Sequence, residues 1–461
     1  MPRLNVGSRR LRQFWADSLQ FSSLSVPIAL TQLAQVAITA TNTALMGALG
    51  TEALAAGGLA MVLFNQIRTM GVGLVTVGNE VAAVHALDAG DRFERLRDVV
   101  RASFAVATVV GVIGAVMLVV LGCLTGWLGQ LPSVVERVRP MTVVLAPGLI
   151  PCLWFQVIRQ CTLGLRRPQG LLWITVASIV MNAALAWVLM HGFGAIRPLG
   201  LLGVGVATSL VYLLSFFALY QVARRDPVLT HVLSVQLWRA RRDSVQRLLR
   251  LGLPIAATYG SEAGFFSVVA LIMGMFGAAA LAAHEVVNQL VLIVFQITMG
   301  LSNAASISVS AEVARGHHDK AARIARLACI HGALAMAVIA ALFLFASHAV
   351  LRLFLPTGDL TTWAIASALL QVAALLQFFD CAQNIGVGLM RALDDTRAGF
   401  RMTLIGYWLI GLPVAWLLSR AAGVGPVGVW VGLVCGLAVT AVLLLRRFSV
   451  TLAGRTVAVR V

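Results

Sequence analysis

Stretches of roughly 20 apolar residues recur along almost the whole chain, and each is long enough to cross a bilayer core of about 30 Å. Their positions predict twelve spans. The first six fall near 21–49, 53–78, 99–121, 139–163, 170–190 and 200–223. The second six fall near 251–276, 280–306, 324–345, 362–390, 399–421 and 426–445. Between them the pattern turns polar and basic, as in Arg166, Arg167 and Pro168 or the amphipathic 80–101 connection, which reads as a solvated helix on the membrane surface.

The pattern also repeats. The stretch 251–283, LGLPIAATYGSEAGFFSVVALIMGMFGAAALAA, restates 24–56, LSVPIALTQLAQVAITATNTALMGALGTEALAA. Leu24, Pro27, Ile28, Ala29, Thr31, Met46, Gly47, Gly50, Ala53, Leu54, Ala55 and Ala56 recur there without a gap. A period of half the chain is far longer than any solenoid repeat and points to a duplicated transporter. Six spans separate the copies, so both enter the membrane in the same direction, which predicts a parallel repeat about an axis along the membrane normal. The expected fold is an all-α integral membrane protein of twelve transmembrane helices in two six-helix lobes with a cavity between them. Its parts are an N-terminal tail (1–20), an N-lobe (21–223), a linker (224–250), a C-lobe (251–446) and a C-terminal tail (447–461).

Composition fits that picture. Only 11% of residues are charged and the mean hydropathy is +0.90, which excludes a soluble domain, where about 25% would be charged. The first apolar run follows a basic segment and is too long for a signal peptide. The net charge of +17 invites a nucleic-acid reading until the charges are located. Most Lys and Arg fall in the two termini and alternate loops, the positive-inside asymmetry, which places both termini in the cytosol. The basic excess therefore implies contact with anionic lipid and no nucleic acid. The six cysteines are scattered without a CxxC pair and read as small hydrophobes.

An ionisable side chain at mid-bilayer costs about 2.5–3.5 kcal/mol on insertion scales, so each one needs a reason. Glu262, Glu285 and Asp380 stand far from span ends in the second half, Arg68 and Arg159 in the first. Glu52, Glu80 and Glu312 lie near loops and are expected to reach water. Polar residues align at helical spacing: Thr31, Gln35, Thr39 and Asn42 in span 1, Glu285, Asn288, Gln289 and Gln296 in span 8, and Gln377, Asp380, Gln383 and Asn384 in span 10. Several such stripes cannot all face lipid, so they are expected to line a shared wet interior, the alternative being hydrogen bonds that hold the bundle together. Pro27, Pro254 and Pro413 interrupt spans, and the first two are candidate hinges. His284 reads as a satisfied core residue, and His317, His318 and Asp319 as a turn rather than a metal site. There is no HExxH, GxSxG or Walker glycine loop, so neither catalysis nor a bound cofactor is expected, and an ion gradient must supply the energy.

At PIALTQLAQ, MGALGTEALAA, SEAGFFSVVALIMGMFGAAALAAHEV, FFDCAQNIGVGLMRALDDTR and GYWLIGLP, the chain resembles the multidrug and toxic compound extrusion (MATE) family, NorM-like branch. The resemblance covers about 24–448 and implies export of cationic amphiphilic drugs and dyes against Na⁺ or H⁺ across the bacterial inner membrane. It also implies that Glu262 and Asp380 are the cation-coupling residues, and Asn182 looks like the family's N-lobe asparagine. Oxygen ligands from this pair and nearby amides suit Na⁺, while a carboxylate taken out of water equally suits a proton. The chain departs from the family in three places. Asn42 stands where Asp is common, Glu285 replaces the Gln of AAHQ, and Arg68 occupies a normally apolar position. A flippase for lipid-linked saccharides is the runner-up, since Arg68 and Arg159 begin to supply a cationic cleft, and a membrane-embedded enzyme is the more distant alternative. A monomer is expected.

Overall fold

The computed structural model describes residues 4–87, 90–128, 132–167, 170–193, 197–352, 354 and 359–460, and the side chains of all of these but 4–14, 16, 128 and 456–460. Among them are twelve helical segments long and apolar enough to cross a membrane. In the first half these are α1 (Asp17–Ala48), α2 (Thr51–Ala86), α3 (Arg92–Trp127), α4 (Pro132–Gly164), α5 (Leu171–His191) and α6 (Leu201–Arg225). In the second they are α7 (Arg242–Gly274), α8 (Ala278–Ala314), α9 (His318–Phe345), α10 (Leu360–Ala392), α11 (Thr396–Ala421) and α12 (Pro426–Arg455). The expected tails are largely helical: α1 is part of one helix from Leu4, and the last helix runs to Arg460. Residues 1–3 and 461 of those tails lie outside the described residues, as does Pro168.

The duplication is written into the backbone. The alignment that lays 24–56 on 251–283 carries Gly50 onto Gly277 and Pro27 onto Pro254. Gly50 breaks α1 from α2 at φ +103°, and Gly277 breaks α7 from α8 at φ +102°. A side chain would strain either position. Pro27 and Pro254 sit inside unbroken helices. In each copy the threonine one turn on donates to the proline carbonyl, Thr31 at 2.7 Å and Thr258 at 2.8 Å.

The chain forms two compact units, Leu33–Tyr259 and Met1–Gln32 with Gly260–Val461. The dividing points, after Gln32 and after Tyr259, are themselves equivalent in the repeat. Each unit therefore holds the leading part of the other half's first helix, an exchange that the expected lobes at 21–223 and 251–446 do not contain. The packing that seats these parts is equivalent as well, since Gly73 aligns with Gly300 and Ala29 with Ala256. A Cβ on Gly73 would lie 3.0 Å from the Ala256 backbone, and one on Gly300 would lie 2.6 Å from that of Ala29. Only glycine lets the helices approach so closely.

One expectation is corrected here. Glu312 does not reach water; it is 1% exposed, and its charge is met by Arg315, His317 and Lys320 at 3.0, 3.1 and 3.0 Å. A buried carboxylate survives only with such partners. In the linker, Asp226 caps the short helix Pro227–Val232 through the backbone amides of Val228 and Leu229 and pairs with Arg167 at 2.8 Å. Desolvation pushes its carboxyl up, but Arg167 and those amides outweigh this and hold it below the usual carboxylate range.

Candidate cation site and its counterpart

In the unit that contains most of the second half, α10 places Gln377, Asp380, Gln383 and Asn384 on one buried face, each at most 4% exposed. Asp380 Oδ1 accepts from Asn384 Nδ2 at 3.1 Å. Among the described residues its buried Oδ2 has no hydrogen-bond partner, and neither amide atom of Gln377 has one. Thr298 of α8 stands beside this carboxylate, but its hydroxyl proton goes to the Phe295 carbonyl at 2.9 Å. Glu262 of α7 is half-buried and close enough to Asp380 for the two charges to interact.

The third wall is α11. Pro413 offers no backbone donor, and the turns flanking Leu412–Trp416 are π-wound, at Ile405–Gly411 and Leu417–Ala421. The first wide turn directs Tyr407 inward, where it is fully buried with its ring stacked on Phe265 at 4.8 Å. The Tyr407 hydroxyl donates to Gln383 Oε1 at 2.8 Å and lies 3.5 Å from Glu262 Oε1. Its one proton serves Gln383, so Glu262 keeps its acceptor capacity. Trp408 Nε1 donates to Ser261 Oγ at 2.9 Å and ties α11 to α7 right beside Glu262. The result is a largely buried group of oxygen atoms with two carboxylates and, among the described residues, no basic partner, suited to a proton or a hard monovalent cation. Among the described residues no group of three or more His, Cys, Asp and Glu could hold a metal ion.

The other residues singled out on α8 separate. Glu285 and Gln289 are exposed and Asn288 is half-buried. His284 is buried and accepts from Trp430 Nε1 at 3.2 Å, a core histidine as expected.

The first half's unit builds something different at the matching place. The gapless alignment of the two copies puts Gln35 opposite Glu262. Farther along, the register is carried by Arg166 at φ 54° and Asp394 at φ 60°, the non-glycine residues with positive φ among those described. Counting back from that pair, Cys152 corresponds to Asp380. An amide and a thiol thus occupy the positions of the two carboxylates. Asn42 and Asn182 are fully buried and bonded to each other: Asn182 Nδ2 donates to Asn42 Oδ1 at 2.7 Å, and Asn42 Nδ2 donates to Thr208 Oγ1 at 3.1 Å. Gln35, Asn42 and Arg68 line one small cavity. Arg68 Nε donates to Asn65 Oδ1 at 3.2 Å, with Cys152 and Tyr212 beside it.

Reading the sequence missed Tyr407, Thr298, Asn65 and Tyr212. A signal existed for the tyrosines: the chain has only four, and a tyrosine inside an apolar span needs a partner for its hydroxyl.

The MatE family model matches the chain twice, at residues 27–188 and 254–417. The matches begin at Pro27 and Pro254, in the register of the duplication. "Probable multidrug resistance protein NorM" of Bradyrhizobium diazoefficiens is 35% identical over 460 residues, covering 97% of this chain and 96% of that protein. "Multidrug resistance protein NorM" of Burkholderia vietnamiensis is 31% identical, covering 92% of each. Among solved structures, the eukaryotic MATE transporter AtDTX14 superposes with a TM-score of 0.82 at 19% identity, covering 97% of this chain and 99% of that one. A MOP superfamily transporter from Pyrococcus furiosus superposes with a TM-score of 0.84 at 17% identity, covering 95% and 96%. These two likenesses concern the fold.

Proposed function

This chain belongs to the MatE family, and from that premise we propose that it is a secondary active multidrug efflux transporter of the bacterial inner membrane, exchanging cationic amphiphilic drugs and dyes for inward Na⁺ or H⁺. The observation that carries the reading is the buried, unpartnered Oδ2 of Asp380 with Glu262 alongside. Two carboxylates in a largely buried site repel one another until a cation arrives, so occupancy by a proton or Na⁺ and occupancy by a lipophilic cation exclude each other. That exclusion is what an exchanger needs. The membrane potential adds about 2.3 kcal/mol per charge per 100 mV to drive it.

In this reading Glu262 and Asp380 couple the cation, Gln383 and Asn384 hold the site's shape, and Pro27 and Pro254 are the bending points of alternating access. Both prolines lie just ahead of the places where the compact units divide. The basic bias of alternate loops supports cytosolic termini and contact with anionic lipid. A monomer is the working assembly.

Ethidium accumulation in pump-deficient cells tests the proposal. Wild type lowers the dye, and Glu262→Gln at equal expression does not. Unchanged dye with well-expressed wild type would overturn the drug-export reading.

A further inference from the structure

The first half's cavity has the opposite electrostatic character from the second half's site. Arg68 lines it, and Asn65, Cys152 and Tyr212 stand beside that guanidinium, none of them a carboxylate. Among the described acids of this unit, Glu52 pairs with Arg137, Glu80 with Arg247, Asp91 with Arg95, Asp98 with Arg101 and Asp226 with Arg167. A second cation, Arg159, is 4% exposed on the same helix as Cys152 and donates to Gln156 Oε1 at 3.2 Å. Arg68 is half-buried on a membrane-spanning helix, where a guanidinium that cannot shed its proton favours negative charge beside it.

We propose that this cavity is an anion site, with Arg68 as the anchoring charge and a monovalent anionic group of chloride or carboxylate size as its ligand. The volume sets the size class. About 40 Å³ is open, room for an ion or a water or two but not for a drug molecule. The lining supplies donors to match: the Arg68 guanidinium beyond its Nε, the Asn65 amide and the Tyr212 hydroxyl. Two sources share this chemistry, a free halide and the carboxylate of an organic solute. The site stands independently of what the protein exports.

Thermal unfolding of the purified full-length protein tests it, in sodium chloride, sodium acetate and sodium gluconate at one ionic strength. Gluconate is too large for the cavity, so wild type should melt about 3 °C higher in chloride, with a shift that saturates. The same stabilisation in acetate and not in chloride would assign the site to an organic carboxylate. Arg68→Gln should respond to neither. Should that variant fail to fold, Asn65→Asp is the second probe, because it places a fixed carboxylate against Arg68 Nε. It should match or exceed the wild-type melting temperature in gluconate and lose the anion response. Wild type that melts alike in all three salts, or an Asn65→Asp protein that keeps the full chloride shift, overturns the proposal.

Discussion

The two halves carry one backbone plan and two chemistries. Breaking glycines, helix prolines and tight glycine contacts recur at equivalent positions, yet Glu262 and Asp380 of one copy answer to Gln35 and Cys152 of the other. The reversal extends to the helix ends. Arg167 follows Arg166 in the first half and pairs with Asp226 at 2.8 Å, while its equivalent Asp395 follows Asp394 in the second and pairs with Arg447 at 3.1 Å. The charge at this position changes sign, and in each half it meets a partner of the opposite charge. Packing constrains shape at these positions, and polarity is left for function to set. One half can thus hold a cation while the other holds a guanidinium on nearly the same scaffold.

Breaking the acidic half should have the largest effect. Asp380→Asn or Glu262→Gln should lower drug-driven cation exchange by about tenfold or more, equivalent to about 1.4 kcal/mol lost at the site. Cys152→Ser and Gln35→Ala, at the matching positions, should leave it within about twofold, read as dye efflux per transporter in the membrane. Comparable losses on both sides would erase the division of labour.

Next come the paired glycines. Gly300→Ala should destabilise by about 1–3 kcal/mol and Gly73→Ala by less, because the Ala29 backbone lies at 2.6 Å and the Ala256 backbone at 3.0 Å. Detergent melts of the two variants compare them directly. Tyr407→Phe removes a hydroxyl bonded to Gln383 and should slow efflux roughly threefold without changing expression.

The smallest effect is at the Arg167–Asp226 bridge. Because Arg167 and the capping amides hold the Asp226 carboxyl low, its contribution is full above the unfolded-state pKa and is lost as pH falls through the lower, folded value. Asp226→Asn should therefore cost about 1 kcal/mol at neutral pH and nothing in acid, as followed by melts across pH.

Span number, the duplication and the acidic pair were legible because hydropathy and a gapless repeat survive in one dimension. Glu262 and Asp380 stood out because a carboxylate in an apolar run has few explanations. Tyr407 did not, since its inward aim depends on the π-wound turn before Pro413, and winding leaves no periodicity in a span that is apolar nearly all round. Glu312 was misjudged because Arg315, His317 and Lys320 close over it only once α8 and α9 turn back on each other. The exchange of helix ends was illegible for a related reason: it depends on which half each glycine meets, and sequence order says nothing about that.

The central claim is that cation coupling resides in the second half's carboxylates. Its most direct test is ethidium transport in proteoliposomes driven by an imposed Na⁺ or H⁺ gradient, comparing wild type, Asp380→Asn and Cys152→Ser at equal incorporation. The account predicts gradient-driven transport in wild type and Cys152→Ser and none above leak in Asp380→Asn. Gradient-driven transport by Asp380→Asn at the wild-type rate would contradict it.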